Sequence, residues 1–165
     1  MTRVTLNRCY IGLGSNLENP LQQVTTALQE LQQIAETSLL SRSSLYRSDP
    51  VGPAGQPDYV NAIALLETSL QPEALLDQLQ SLEQQHQRVR HTHWGPRTLD
   101  LDIILFDSQI IQTPRLTVPH PFAKERNFVL WPLFEVSPDL IFPDGRSISD
   151  LLVACPLGTL EKISV

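Results

Sequence analysis

The chain predicts an α+β fold in which an antiparallel sheet is flanked by helices, and three observations carry that expectation. Apolar runs and helical periodicities alternate in the order strand–helix–strand–strand–helix–strand. Each helical segment carries one apolar stripe, as a helix covering a sheet does. The 165 residues suffice for a core of their own, and no linker or internal repeat divides them, so residues 1–165 read as a single domain. That element order is the ferredoxin-like pattern, with the two helices on one face of the sheet and a C-terminal hairpin and helix added.

The first strand is read at residues 9–13 (CYIGL), a short apolar run that ends in a glycine turn. Asn19-Pro20 supplies an N-cap followed by proline at the first helical position. Leu21, Val24, Leu28, Leu31 and Ala35 then recur at spacings of three and four, which is one helix face. Residues 37–46 (TSLLSRSSLY) and 60–68 (VNAIALLET) read as strands. Between them RSDPVGPAGQPD is too long and too rich in proline and glycine for a hairpin turn, so it is a sizeable loop. Pro72 opens a second helix with Leu75, Leu76, Leu79 and Leu82 on one side. A second loop, RVRHTHWGPR, leads into the strand TLDLDIILF. The remainder predicts a hairpin (QIIQTPRLTV), a helix (NFVLWPLFEV), a turn at Phe142-Pro143-Asp144-Gly145 and a short capping box of Ser147 with Asp150.

Composition narrows the function. Hydrophobic residues make up 41% and charged residues 18%, a globular rather than a disordered balance. A net charge of -6 argues against a chain that coats nucleic acid, so an anionic ligand must meet a local basic cluster. Cys9 and Cys155 stand at no metal-ligand spacing, and two free thiols in a reducing cytoplasm are expected rather than a disulfide. The N-terminus lacks an apolar leader and no run of about eighteen apolar residues occurs, so a soluble cytoplasmic protein with no membrane partner is expected.

The chemistry gathers around WGPRTLDLDII at 94–104. In a strand Asp100 and Asp102 point the same way with Cα atoms about 7 Å apart, while Leu99, Leu101 and Ile103 point the other. The run continues through Ile103, Ile104, Leu105 and Phe106, apolar on both faces, which predicts a central strand. Two anions at that spacing repel by about 2 kcal/mol at an effective dielectric of about 20. Cations must hold such a pair, and hard oxygen ligands on short side chains suit Mg²⁺. The plain alternative is a half-buried strand whose polar face happens to be acidic. Arg88, Arg90 and Arg97 cluster just before the pair. Guanidinium groups opposite a metal grip phosphates from the other side, which is the equipment of phosphoryl transfer.

The usual nucleotide loops are missing. Gly12-Leu13-Gly14-Ser15-Asn16-Leu17 starts like GxGxxG but has Leu17 at the third glycine position, and no GxxxxGK[ST] occurs. His86, His91 and His93 with the aspartates offer a His/Asp metallohydrolase centre, disfavoured by the arginines beside His91 and His93. His120 stands between Pro119 and Pro121 in a rigid turn. Tyr59, Asn61, Trp94 and Phe128 offer stacking faces and an amide to a flat heterocycle, although each alone reads as ordinary packing.

Taken together, WGPRTLDLDIILF, RVR at 88–90, LTVPHP at 116–121, ERNFVLWPLFEVSPDL at 125–140, YIGLGSNLENP at 10–20 and YRSDPVGPAGQPDYVNA at 46–62 resemble the 6-hydroxymethyl-7,8-dihydropterin pyrophosphokinases of folate biosynthesis. The resemblance covers about residues 10–145. It implies transfer of a pyrophosphoryl group from ATP to the pterin hydroxymethyl, releasing AMP, with two Mg²⁺ ions held by Asp100 and Asp102. It implies phosphate contacts from Arg88, Arg90 and Arg97, with Arg88 and Arg97 the catalytic pair. Tyr59 and Phe128 match the aromatics that sandwich the pterin, and Asn61 a partner to its edge. Ser48 and Val51 lie where loop backbone touches the ring. Gln80, Glu83, Ile103, Arg115, Thr117, His120 and Arg126 match nucleotide-side positions, with His120 on a phosphate. A monomer acting on these small molecules is the expectation. His93 departs from the arginine common in the family, and Asp49 stands where some relatives have another residue. The alternatives are a Mg²⁺-dependent phosphohydrolase using the same aspartates and a ligand sensor without turnover.

Overall fold

The protein's computed structural model describes residues 5–49, 55, 57–86 and 98–163. Val51, Arg88, Arg90, His91, His93, Trp94 and Arg97 therefore lie outside the described residues. In chain order the elements are β1 (Asn7–Ser15), α1 (Pro20–Leu31), β2 (Thr37–Arg42), β3 (Tyr46–Ser48), β4 (Tyr59–Thr68), α2 (Pro72–His86), β5 (Asp100–Phe106), β6 (Ile111–Gln112), β7 (Thr117–Val118), a 3₁₀ turn (Ala123–Glu125), α3 (Asn127–Val136), α4 (Ile148–Ala154) and β8 (Glu161–Lys162). The main sheet runs β5-β1-β4-β3-β8, with β2 also paired to β4. Every pairing in it is antiparallel. The ferredoxin-like order is present, and the hairpin and C-terminal helices follow as expected.

Side-chain alternation gives the sheet two different faces. Cys9, Ile11 and Leu13 of β1, Val60, Ala62, Ala64 and Leu66 of β4, and Leu101 and Ile103 of β5 form one buried cluster with α1 and α2. Ile63, Ile104 and Leu105 form the other with α3 and α4. Both predicted helices thus share one face, and the C-terminal additions take the opposite one. The cysteines are free. Cys9 lies in the first cluster, where burial and then the Asp107 charge push its thiol up to about 12. Cys155 packs against the second.

Four local expectations are corrected. The stretch 37–46 is two strands, because Ser43 leaves the ladder: its N–H donates to Ile63 O (2.8 Å) and its hydroxyl accepts from Ile63 N (2.9 Å). Asn19 caps α1 only by position, since it is left-handed (φ 66°) and its amide donates to Gln22 Oε1 at 3.0 Å. The buried face of α1 is Val24, Ala27, Leu28 and Leu31. Leu21 is 38% exposed, and Ala35 lies beyond the helix end.

The fourth concerns β5, which among the described residues ends the strand order rather than sitting inside it. Helices cover both faces of its second half, Ile103–Phe106, and that coverage is what its apolar run reports. The pairing with β1 also shifts register between Tyr10 and Ile11, where Leu105 and Ile103 are the partners and Ile104 is the extra residue. Its open edge is met by side chains and loops: Glu83 Oε2 accepts from Leu101 N (2.8 Å), and Ile104 O accepts from His120 N (3.0 Å). Among the described residues no helix is long and apolar enough to cross a membrane.

Candidate active site

On the face that carries α3, the alternating positions are Tyr10, Gly12 and Gly14 of β1, Tyr59, Asn61 and Ile63 of β4, and Asp100, Asp102 and Ile104 of β5. Register sets Gly12 between Ile63 and Asp102, and Gly14 between Asn61 and Asp100. Apolar packing under α3 takes Ile63 and Ile104. The rest of this face opens into a cleft of about 310 Å³, lined by the two aspartates, Tyr59, Asn61 and Phe128 among others.

The glycines explain why a cleft exists here. A Cβ on Gly12 would stand 3.1 Å from Ile104 Cδ1, and one on Gly14 would stand 3.2 Å from Asn61 Nδ2 and 3.6 Å from Tyr59 Cδ1. Without side chains there, Ile104 and the Asn61 amide lie down over β1, and a trough runs between the carboxylates on β5 and the ring and amide on β4. The signal was in the sequence, as glycines at alternate positions of a strand, and reading GLGSNL only as a failed phosphate loop passed over it.

The two sides of the trough differ chemically. On one, Asp100 is half-buried and Asp102 exposed, so neither carboxylate is sealed against hydrocarbon. On the other, buried Asn61 accepts on Oδ1 from Ser48 Oγ at 2.5 Å. That bond orients the amide and leaves its nitrogen on the Gly14 side. The Arg126 guanidinium lies 5.1 Å from the Phe122 ring centre and 5.5 Å from that of Phe128, a cation held on aromatic faces at the cleft wall. His120 Nδ1 accepts from Phe122 N at 3.2 Å, so Nε2 carries the ring hydrogen. Burial, and then the Arg126 charge, hold the His120 pKa below the ordinary histidine value, which favours the neutral ring.

Eight of the expected residues therefore meet in one cleft: Ser48, Tyr59, Asn61, Asp100, Asp102, His120, Arg126 and Phe128. Others lie elsewhere. Ile103 is 3% exposed and its side chain belongs to the core beneath α1 and α2, so only its backbone can face a ligand. Arg115 is bound to α2 through Asp77 (2.6 Å), Gln80 (3.2 Å) and Glu73 (3.7 Å), which engages both Arg115 and Gln80. Thr117 is exposed on β7, opposite Gln112. Asp49 and Phe122 also line the cleft, and a loop acid and a turn aromatic carry no periodic signal in the sequence.

Metal chemistry fits the pair, and His86 is placed away from it. Two short carboxylates, one exposed, in a cleft open to solvent are the donor set that Mg²⁺ uses when water and phosphate oxygens complete its shell. His86 instead bridges α2 to α1, with Nε2 2.5 Å from Glu30 Oε1 and Nδ1 against Gln23. No group of three or more His, Cys, Asp or Glu is placed to hold a metal among the described residues.

Similarity to known proteins agrees with this geometry. The family profile for 7,8-dihydro-6-hydroxymethylpterin-pyrophosphokinase (HPPK) matches residues 10–138. The chain is 50% identical over 158 residues to the 2-amino-4-hydroxy-6-hydroxymethyldihydropteridine pyrophosphokinase of Pseudomonas aeruginosa, covering 96% of this chain and 98% of that one. It is 43% identical over 143 residues to the enzyme of that name from Synechocystis sp., covering 86% and 73%. Among solved structures, Plasmodium falciparum HPPK-DHPS with pteroate shares the fold at a TM-score of 0.74 and 12% identity. That match covers 93% of this chain but 43% of the longer one. The chain belongs to the 7,8-dihydro-6-hydroxymethylpterin-pyrophosphokinase family.

Proposed function

We propose that this protein transfers the pyrophosphoryl group of ATP to the hydroxymethyl oxygen of 6-hydroxymethyl-7,8-dihydropterin, releasing AMP, as a step of folate biosynthesis. One observation carries the reading: a carboxylate pair and a ring-and-amide site face each other across a glycine floor. Mg²⁺, as two ions on Asp100 and Asp102, would neutralise the polyphosphate and align it with the acceptor. The chain's own residues do the rest. Tyr59 and Phe128 take the faces of the pterin, and the Ser48-oriented amide of Asn61 reads its edge. His120 offers Nε2–H to a phosphate oxygen while its Nδ1 is held by the Phe122 N–H. Arg126 brings a fixed positive charge to the same wall.

Sequence resemblance alone supports Arg88 and Arg97 as catalytic cations, Arg90 as a further phosphate contact and Val51 on the pterin side, and Trp94 joins that side as a stacking face read from the sequence. Gln80, Glu83, Arg115, Thr117 and the Ile103 backbone complete the nucleotide side in this reading, with Arg115 exchanging its α2 carboxylates for the ligand. The reading extends to a cytoplasmic monomer. Because both apolar clusters draw on the same three strands, residues 1–165 are held to be one domain.

Mixing the protein with ATP, Mg²⁺ and the hydroxymethyl-dihydropterin tests the activity. AMP should form only when the pterin is present. AMP or phosphate released at the same rate without it, or no AMP at all, overturns the reading. The phosphohydrolase alternative requires the former outcome and draws no support from the family match.

A further inference from the structure

The C-terminal segment 155–163 lies outside the span that the family profile matches, yet it touches both walls of the cleft. It begins on α3, where Trp131 Nε1 donates to Cys155 O (3.0 Å) and Asn127 Nδ2 donates to Leu157 O (2.9 Å). Gly158 then turns the chain in the left-handed region (φ 59°). Directly after it, Thr159 Oγ1 donates to Asp49 Oδ2 at 2.5 Å. Leu160 is buried, Glu161 and Lys162 pair with Arg47 and Tyr46 as β8 against β3, and Ile163 N donates to Leu45 O at 2.8 Å.

Asn127 immediately precedes Phe128, and Asp49 immediately follows Ser48; Phe128, Ser48 and Asp49 all line the cleft. A single turn of chain, Leu157–Thr159, therefore spans the start of α3 and the end of β3. We propose that this strap is a positioning device: by tying Asn127 to Asp49 through Leu157 and Thr159, it sets the spacing between the Phe128 wall and the Ser48–Asp49 wall, and with it the affinity for the flat substrate. The inference rests on the reading of the cleft as the pterin site. Thr159 touches no reacting atom and acts only through Asp49. The carboxylates on β5 belong to another strand, so the pair that would hold the metal is untouched by the strap.

Thr159→Val keeps the shape and removes the donor, while Asn127→Ala cuts the other end. A lost exposed hydrogen bond corresponds to roughly a three- to tenfold change. Each variant should raise KM for the pterin by that factor, with kcat and KM for ATP within about twofold of wild type, and Thr159→Ser should restore the wild-type value. The double variant should be no worse than the larger single effect, because both bonds act through the one Leu157–Thr159 turn. Amide exchange over residues 45–49 should also quicken in Asn127→Ala, although that residue lies on α3. A lowered Tm with unchanged pterin KM, or effects that multiply in the double variant, overturns the proposal. A wild-type protein that forms no AMP with the pterin overturns the substrate reading instead, and the exchange measurement tells the two failures apart.

Discussion

The two faces of the sheet are built from the same strands and differ in what covers them. Beneath α1 and α2, Ile11, Leu13, Ala64, Leu101 and Ile103 are all at most 3% exposed, packed in one cluster with the helix stripes. On the other face α3 seals only the part around Ile63 and Ile104. Beyond it the same strands present Gly12, Asn61, Asp100 and Asp102 to a cleft. Neighbouring residues thus serve opposite purposes: Leu101 holds the fold, and Asp100 and Asp102 on either side of it serve chemistry. The rigid sealed face lets the open one carry two like charges about 7 Å apart without collapsing.

Substitutions on the two faces should fail in different ways. Asp100→Ala or Asp102→Ala should lower pterin-dependent AMP formation by roughly a hundred- to thousandfold, the scale of losing a major electrostatic group at a reacting centre. Thermal unfolding should barely change, so a large fall in Tm with most of the turnover retained would erase the distinction. Ile103→Ala, one residue along but on the sealed face, should cost about 2–5 kcal/mol of stability in denaturant unfolding. Its folded fraction should keep near-normal KM values for both substrates.

Smaller effects sharpen the contrast. Gly14→Ala adds one methyl against Asn61 Nδ2, and overpacking of that kind costs about 1–3 kcal/mol. Here it should appear chiefly as a raised KM for the pterin, not for ATP, because the displaced group is the amide. The smallest effect is a pH dependence. His120 has its pKa lowered by burial and then by Arg126, so the unfolded chain binds its proton more readily than the native one. Stability should therefore decline as pH falls from the unfolded value near 6.5 towards the lower native one, and hold steady above it. In His120→Gln that slope in Tm against pH should flatten. An unchanged slope would show that the ring titrates freely and is not held neutral in the wall.

Much of this was legible in the sequence, for reasons that are local. Period-two alternation placed Asp100 and Asp102 opposite Leu101 and Ile103, and a helical stripe placed Leu75, Leu76 and Leu79 in the core. Alternation reports what covers a strand's faces, however, and says nothing of its lateral neighbours. That is why β5 reads as central and is an edge. Nucleotide-side positions carried over from relatives specify a place in the chain rather than a side-chain direction. Ile103 accordingly points into the core, and Arg115 lies against Asp77.

The sequence by itself determined the main strands and helices, their order, the family and the shared direction of the two carboxylates, since each follows from residues within a few positions of one another or from a motif read whole. Tertiary structure alone decided the glycine floor, the Ser48–Asn61 bond, the fixed tautomer of His120 and the strap from Asn127 to Asp49. Those depend on pairing register and on contacts between distant segments, Thr159 and Asp49 being 110 positions apart. No local pattern encodes which of two exposed polar residues so far separated will meet.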